Sequence, residues 1–277
     1  MRKIYGILIA LLLVAIYSMA QPKINSVSDT PDPVEVPGYN NITADITNAS
    51  QVYVEIYYPN ATLMGNYSMT NIASTNTWYY NNTYAYPDPL GAYNYVIKAY
   101  NATGWNTSSS YTFTLQDTTS PSSSVDALSK YWYNSTISVT ATATDNYNVS
   151  SVTLKYRYSS DNSSWGSWSD FAVDNSPPWQ WNFNFPGGEG YYRFLTIAKD
   201  DAGNVESWPT VYDENCAYDT TPPSSNIDSM AYFYSSKPIT INATASDGLS
   251  GVNTVSLYYR YSNDNSSWSA WQSFASD

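Results

Sequence analysis

The residues best suited to chemistry sit in a copied hairpin. Trp165 and Trp168, in YRYSSDNSSWGSWSDF, recur as Trp268 and Trp271 in YRYSNDNSSWSAWQSF. Indole rings flanked by Ser and Asn suit sugar stacking or protein contact, so these four are the candidate ligand-contact aromatics. The competing reading is structural: a hairpin Trp commonly packs on its own sheet. Arg157 and Arg260 lie between tyrosines of the same strands, where stacking on neighbouring rings is expected. A second constellation is acidic. Asp200-Asp201 precedes Gly203-Asn204, Asp145 and Asp247 end equivalent strands, and Asp117 and Asp219 open equivalent linkers. Their oxygens could hold a structural calcium ion, which takes six to eight hard ligands. The leading reading is that they shape turns by accepting backbone N–H groups, so no cofactor is expected.

Other chemistries are excluded by composition. The chain has no His, which removes His-activated nucleophiles, His-ligated zinc and imidazole acid–base catalysis. No Gly-x-Ser-x-Gly elbow, phosphate loop or dinucleotide fingerprint occurs, and no carboxylate pair is nominated for glycoside hydrolysis. No catalytic residue, and no enzyme activity, is expected. The formal charge is −12, from 11 Lys plus Arg against 23 Asp plus Glu, without a basic cluster that could hold a phosphate backbone. Nucleic acid is therefore not an expected partner.

Charged residues make up 12% of the chain, against about 25% in ordinary soluble proteins. Something else must hydrate the surface. Twelve Asn-X-Ser/Thr sequons, at Asn41, Asn48, Asn60, Asn66, Asn81, Asn101, Asn106, Asn134, Asn148, Asn162, Asn242 and Asn265, offer glycans for that purpose. The alternative is a Ser- and Asn-rich surface without sugar. The N-terminus fits export. Arg2 and Lys3 precede an apolar Ile4 to Ile16, and Ser18-Met19-Ala20 places small residues for cleavage after Ala20. Residues 1–20 are read as a signal peptide, with an uncleaved anchor as the rival; no other stretch is long enough to span a bilayer. The one cysteine, Cys216, permits no internal disulfide and is read as a small buried residue rather than an intermolecular link.

These residues must be positioned by strands. Ile137, Val139, Ala141 and Ala143 alternate with Ser and Thr; Val152, Leu154, Tyr156 and Tyr158 share a face, as do Trp179, Trp181, Phe183 and Phe185, and Tyr192, Phe194, Thr196 and Ala198. Period-two patterning with turn formers between the runs predicts short antiparallel strands, about seven per 100 residues, in a β-sandwich. In residues 21–117 the same plan predicts strands over 42–46, 52–58, 76–80, 93–99 and 111–115. GAYNYVIKAYNATGWN (91–106) parallels GYYRFLTIAKDDAGNV (190–205), as expected of divergent duplication.

The hairpin copies are offset by 103 residues, which is too long for a solenoid and suits tandem domains. DTTSPSSS (117–124) and DTTPPSSN (219–226) mark short, proline-stiffened linkers, so the domains are expected to form a rod. The expected organisation is a signal peptide (1–20), a divergent immunoglobulin-like sandwich (21–117), a second sandwich (118–219) and a truncated repeat (220–277) that lacks the counterpart of residues 175–219.

ATATDNYNVSSVTLKYRYSSDNSSW, GYYRFLTIAKDDAGNVE and the DTTPP linker resemble the immunoglobulin-like and fibronectin-III-like tandem repeats of bacterial and archaeal cell-surface proteins. The resemblance covers residues 118–277 well and 21–117 weakly, and it lacks the Cys…Trp…Cys pattern of antibody domains. It implies an all-β chain of tandem immunoglobulin-like antiparallel sandwiches, the last one incomplete, at an extracellular surface. It specifies no reaction. The implied role is a non-catalytic stalk that serves spacing, surface-layer assembly or adhesion, and its partners are other surface proteins or glycans. The rival role is a carbohydrate-binding or accessory module of a larger secreted enzyme.

Overall fold

The computed structural model describes residues 20–277, and among them all regular structure is β. The signal-peptide reading therefore lies, apart from Ala20, outside the described residues. Two compact units are present: residues up to Thr119 with Asn146–Asn148, and Ser120–Asp145 with Val149–Asp277.

The first unit contains β1 (Lys23–Thr30), β2 (Val34–Glu35), β3 (Gly38–Thr47), β4 (Gln51–Tyr57), β5 (Leu63–Ser68), β6 (Thr70–Asn71), β7 (Thr77–Tyr84), β8 (Gly91–Asn101), β9 (Gly104–Thr107) and β10 (Tyr111–Gln116). One sheet runs β1-β3-β7-β6 and the other β2-β10-β8-β4-β5, with β9 also on β8. Every ladder is antiparallel except β2 with β10. The chain crosses from sheet to sheet between β3 and β4, β5 and β6, and β7 and β8, as in immunoglobulin-like sandwiches. Alternation dictates the core: Ile42, Ala44 and Ile46 of β3, Val52, Val54 and Ile56 of β4, and Tyr93, Tyr95, Ile97 and Ala99 of β8 are all buried.

The second unit repeats the plan with β11 (Ser122–Val125), β12 (Trp132–Tyr133), β13 (Ile137–Thr144), β14 (Val149–Ser159), β15 (Ser169–Asp174), β16 (Gln180–Phe183), β17 (Gly190–Asp200) and β18 (Glu214–Tyr218). Its sheets are β11-β13-β16 and β12-β18-β17-β14-β15, again with one parallel ladder, β12 on β18. Phe183 occupies the centre of the core. Its ring lies 4.8 to 5.5 Å from those of Tyr156, Phe171, Phe185, Tyr192 and Phe194.

Two local devices recur in the sandwiches. Tyr93 and Tyr192, each the third residue of its strand, donate a hydroxyl hydrogen bond to the carbonyl four residues upstream, Pro89 at 2.9 Å and Gly188 at 2.7 Å. This is the tyrosine corner of immunoglobulin-like folds. Each strand also starts on a glycine with positive φ, Gly91 at 124° and Gly190 at 140°. A Cβ at Gly190 would lie 2.7 Å from the Ser159 carbonyl oxygen, so only glycine lets the chain enter β17 there.

Carboxylates close edges that strands leave open. The Glu206 carboxylate accepts from the amides of Ser123 on β11 and Ala198 on β17. Asp213 does the same for Val125 and Thr196. These two acids tie one sheet to the other where β18 no longer covers β17. At the chain's exit from each sandwich, Glu35 accepts the amide and hydroxyl of Thr118, and Glu189 those of Thr220.

The remaining strands are β19 (Ser224–Ile227), β20 (Ala243–Ser246), β21 (Ser256–Tyr259) and β22 (Gln272–Ser276), in two separate two-stranded ladders, β19-β20 and β21-β22. No residue from Thr220 to Asp277 is buried. Between the ladders lies a groove of about 740 Å³ lined by Ile227, Ile241, Val255, Leu257 and Phe274. These are the copies of Val125, Val139, Val152, Leu154 and Phe171, four of which are buried in the second sandwich, while Phe171 packs against its core.

Candidate functional site

The outer face of the second sandwich's five-stranded sheet gathers most of its cationic side chains. Period two places Lys155 and Arg157 of β14, and Arg193 and Leu195 of β17, on the side away from the core. Arg157 and Arg193 are cross-strand partners in register. Like charges in that position repel, and rings intervene. The Arg193 guanidinium carbon lies 4.0 Å from the Trp165 ring centre and 4.4 Å from that of Tyr212. The Arg157 carbon lies 5.4 Å from Trp165 and 4.8 Å from Trp168. Trp168 meets Trp208 edge-on at 6.4 Å, and the Lys155 ammonium lies 5.2 Å from Trp208. The result is an alternating ladder of Tyr212, Arg193, Trp165, Arg157, Trp168, Trp208 and Lys155.

Lys155 pairs with Asp170. Arg157 and Arg193 have no carboxylate partner among the described residues, and the Nε atom of each is buried without a hydrogen bond. Burial, then the facing Arg193, lowers the pKa of Arg157. Beside the ladder lies a recess of about 590 Å³ lined by both arginines, Trp168, Leu195, Trp208 and Tyr212.

Trp165 and Trp168 thus pack on their own sheet, outside the core. In the copy, Arg260 lies 5.0 Å from Trp268 and 5.1 Å from Trp271, and both rings are about half exposed or more. The sequence reading missed Arg193, Trp208 and Tyr212. Alternation in GYYRFLTIA places Arg193 beside Arg157. Nothing in SWPTVY shows that the loop folds back over the sheet.

Several of the acidic residues accept turn amides. Asp200 accepts from the amides of Gly203 and Asn204 at 2.6 and 2.7 Å. Asp247 accepts from Leu249 and Gly251, and Asp219 from Thr221 and Ser250. Asp117, in the first unit, accepts from Thr119, while Asp145 belongs to the second unit. The hairpin tip has its own acid. Asp161 Oδ1 accepts from the amides of Ser163 and Ser164 and the hydroxyl of Ser159, and Asp264 repeats each contact with Ser266, Ser267 and Ser262.

These bonds to the charged form hold Asp161 and Asp264 well below the usual carboxylate range, the Ser164 and Ser267 amides contributing most. The Thr220 hydroxyl likewise lowers Glu189. A depressed folded pKa stabilises the fold above the unfolded value near 4, and that stability is lost as pH falls below it. Asp213 runs the other way: burial raises it, so its contribution is present at low pH and lost as pH rises through its folded value. Glu55 and Asp219 are depressed too, by the Lys98 and Ser250 hydrogen bonds, so five depressed carboxylates against one raised predict that the melting temperature falls between pH 5 and pH 2. Asp161→Asn should flatten part of that slope, as followed by circular dichroism. An unchanged slope would contradict the assignment.

Among the sequons, Asn48, Asn60, Asn66, Asn81, Asn134, Asn162, Asn242 and Asn265 are exposed, and Asn41, Asn106 and Asn148 are half-buried. Asn101 is corrected. It is 3% exposed, and its amide nitrogen donates to the carbonyls of Ala20 and Asn48. A glycan on that nitrogen would cost at least one of these bonds at a buried position. Cys216 is buried, and burial, with the Glu214 charge, pushes its thiol up to about 12. A neutral, shielded thiol does not link chains.

No family model matches the sequence, and no curated protein matches it. Among solved structures, the chain is similar to a tetra-tandem repeat from the extending region of a large adhesion protein, at 15% identity and a TM-score of 0.44, covering 91% of this chain and 63% of that one. It is similar to a three-domain titin fragment at 10% identity and a TM-score of 0.38, covering 92% and 85%. The FN1–FN3 domains of chicken CNTN1 give 15% identity and a TM-score of 0.27, covering 69% and 66%. These neighbours are tandem immunoglobulin-like or fibronectin-III-like domains. Among the described residues no helix is long and apolar enough to cross a membrane.

Proposed function

We propose that this chain is a secreted, glycosylated segment of a bacterial or archaeal cell-surface protein, serving a structural or adhesive role as a non-catalytic stalk. The carrying observation is repetition. One self-contained sandwich plan occurs twice with separate cores, and its hairpin occurs again in β21-β22. Such a chain supplies length and spacing, and its partners are other surface proteins or glycans. Exposed sequons on both units supply the hydration that 12% charged residues do not. Protease shaving of intact cells followed by glycopeptide mass spectrometry tests the reading. The expected result is surface-accessible peptides with hexose-containing adducts at exposed sites such as Asn60, Asn81 and Asn134, and none at Asn101. Recovery of the chain only from lysed cells, unmodified, would overturn it.

The aromatic–cationic face favours a second reading, a carbohydrate-binding or accessory module of a larger secreted enzyme. Specific sugar binding on a glycan array, lost in Trp165→Ala and Trp168→Ala, would support it over a purely spacing role.

A further inference from the structure

We propose that the outer face of the second sandwich binds a carboxylated sugar of the uronic-acid type, Arg157 and Arg193 taking the carboxylate and Trp168 and Trp208 the ring. The inference rests on the carbohydrate-contact reading of this face; the stalk reading stands or falls separately, on cell-surface location.

Three observations carry it. First, two guanidinium groups on adjacent strands pack on the same Trp165 ring with no acid to neutralise them. Their Nε atoms are buried and unpartnered, and such groups in a native fold call for an explanation. An anion in the recess that both arginines line would offset their like charge, and a planar guanidinium matches a carboxylate with two parallel hydrogen bonds. Second, both arginines line one recess of about 590 Å³, within the size range that holds a small molecule. Third, the rest of that recess offers flat and apolar surface: Trp168, Trp208 and Leu195. Trp208 is 54% exposed. A pyranose presents a flat C–H face to such a ring while its carboxylate stands at the edge, whereas an acidic peptide offers charge without the flat face. The chain's net charge of −12 repels long polyanions, so recognition is confined to a short acidic unit at this patch.

The test titrates the full chain with tetragalacturonate, its methyl ester and tetraglutamate, following tryptophan fluorescence and calorimetry. Saturable binding of the uronate is expected, with the ester and the peptide about ten-fold weaker or more, because a charge-assisted pair is lost or the stacking face is absent. Arg157→Gln and Arg193→Gln should each weaken uronate binding about ten-fold or more, and Trp208→Ala should weaken ester and uronate alike. If a Gln variant loses its thermal transition, Arg193→Lys keeps the charge but not the fork and should still weaken the uronate. Equal affinity for the ester, equal affinity for tetraglutamate, unaltered binding by folded arginine variants, or no saturation by about 5 mM would each overturn the proposal.

Discussion

Replacing Phe183 by alanine is expected to remove about 3–5 kcal/mol from the second sandwich, the range for truncating a buried aromatic ring. The position explains the size. Phe183 is fully buried on β16, and five other rings lie within 5.5 Å of its centre. Four of those rings come from the opposite sheet, on β14, β15 and β17, and Phe185 follows just beyond the end of β16. No single neighbour can collapse into the space, because each is held elsewhere; Tyr192, for example, is fixed by its bond to the Gly188 carbonyl. Domains of this kind have about 5–15 kcal/mol in total, so the loss is a large fraction, worth about 10–20 °C in melting temperature. Six of the ten tryptophans lie in residues 120–219, so fluorescence-detected unfolding reports mainly on this sandwich. Val173→Ala on β15 is the control. Its side chain is 54% exposed, and the cost should stay within about 1 kcal/mol. A Phe183→Ala shift no larger than the control's would contradict the packing argument.

The core was legible because burial follows period two closely. Every residue expected inward on β14 and β17 (Val152, Leu154, Tyr156, Tyr158, Tyr192, Phe194, Thr196, Ala198) is buried or packs against the core. Strands that escaped notice include several without that signal, with β5 and β9 also absent from the expected set. β1, KINSVSDT, is a mostly exposed edge with weak alternation, and β2, β6 and β12 are two residues long. For such segments pairing partners rather than side chains decide the structure. The candidate site was half legible for the same reason. Alternation assigns Arg157 and the hairpin tryptophans to one face. Trp208 and Tyr212 reach it through a loop held down by Glu206 and Asp213, whose partners lie about 80 residues earlier or on β17. Contacts at that separation leave no local trace.

Residues 118–219 produced alone are expected to unfold cooperatively, and residues 220–277 alone to show no cooperative transition by circular dichroism or calorimetry. The two segments share their patterning, so the difference isolates tertiary burial. Val139 and Leu154 are fully buried; their copies Ile241 and Leu257 lie at the groove between two separate ladders, and Ile241 is 38% exposed. β13 runs Ile137–Thr144 with β16 on its second edge, while β20, from an equally alternating sequence, spans Ala243–Ser246 with β19 alone. An isolated two-stranded ladder is marginal in water, and with the copies of the second sandwich's core positions uncovered the hydrophobic contribution that offsets chain entropy is missing. What the third copy lacks in the structure is a surface like that of Trp181, Phe183, Tyr192 and Phe194. Adding a peptide of residues 179–200 to the isolated segment should therefore protect it from proteolysis, whereas the same peptide with Trp181, Phe183, Tyr192 and Phe194 changed to serine should not. A cooperative transition in residues 220–277 without any added peptide would show that this patterning holds a stable fold with its apolar face open, and would overturn the account of stability given for both sandwiches.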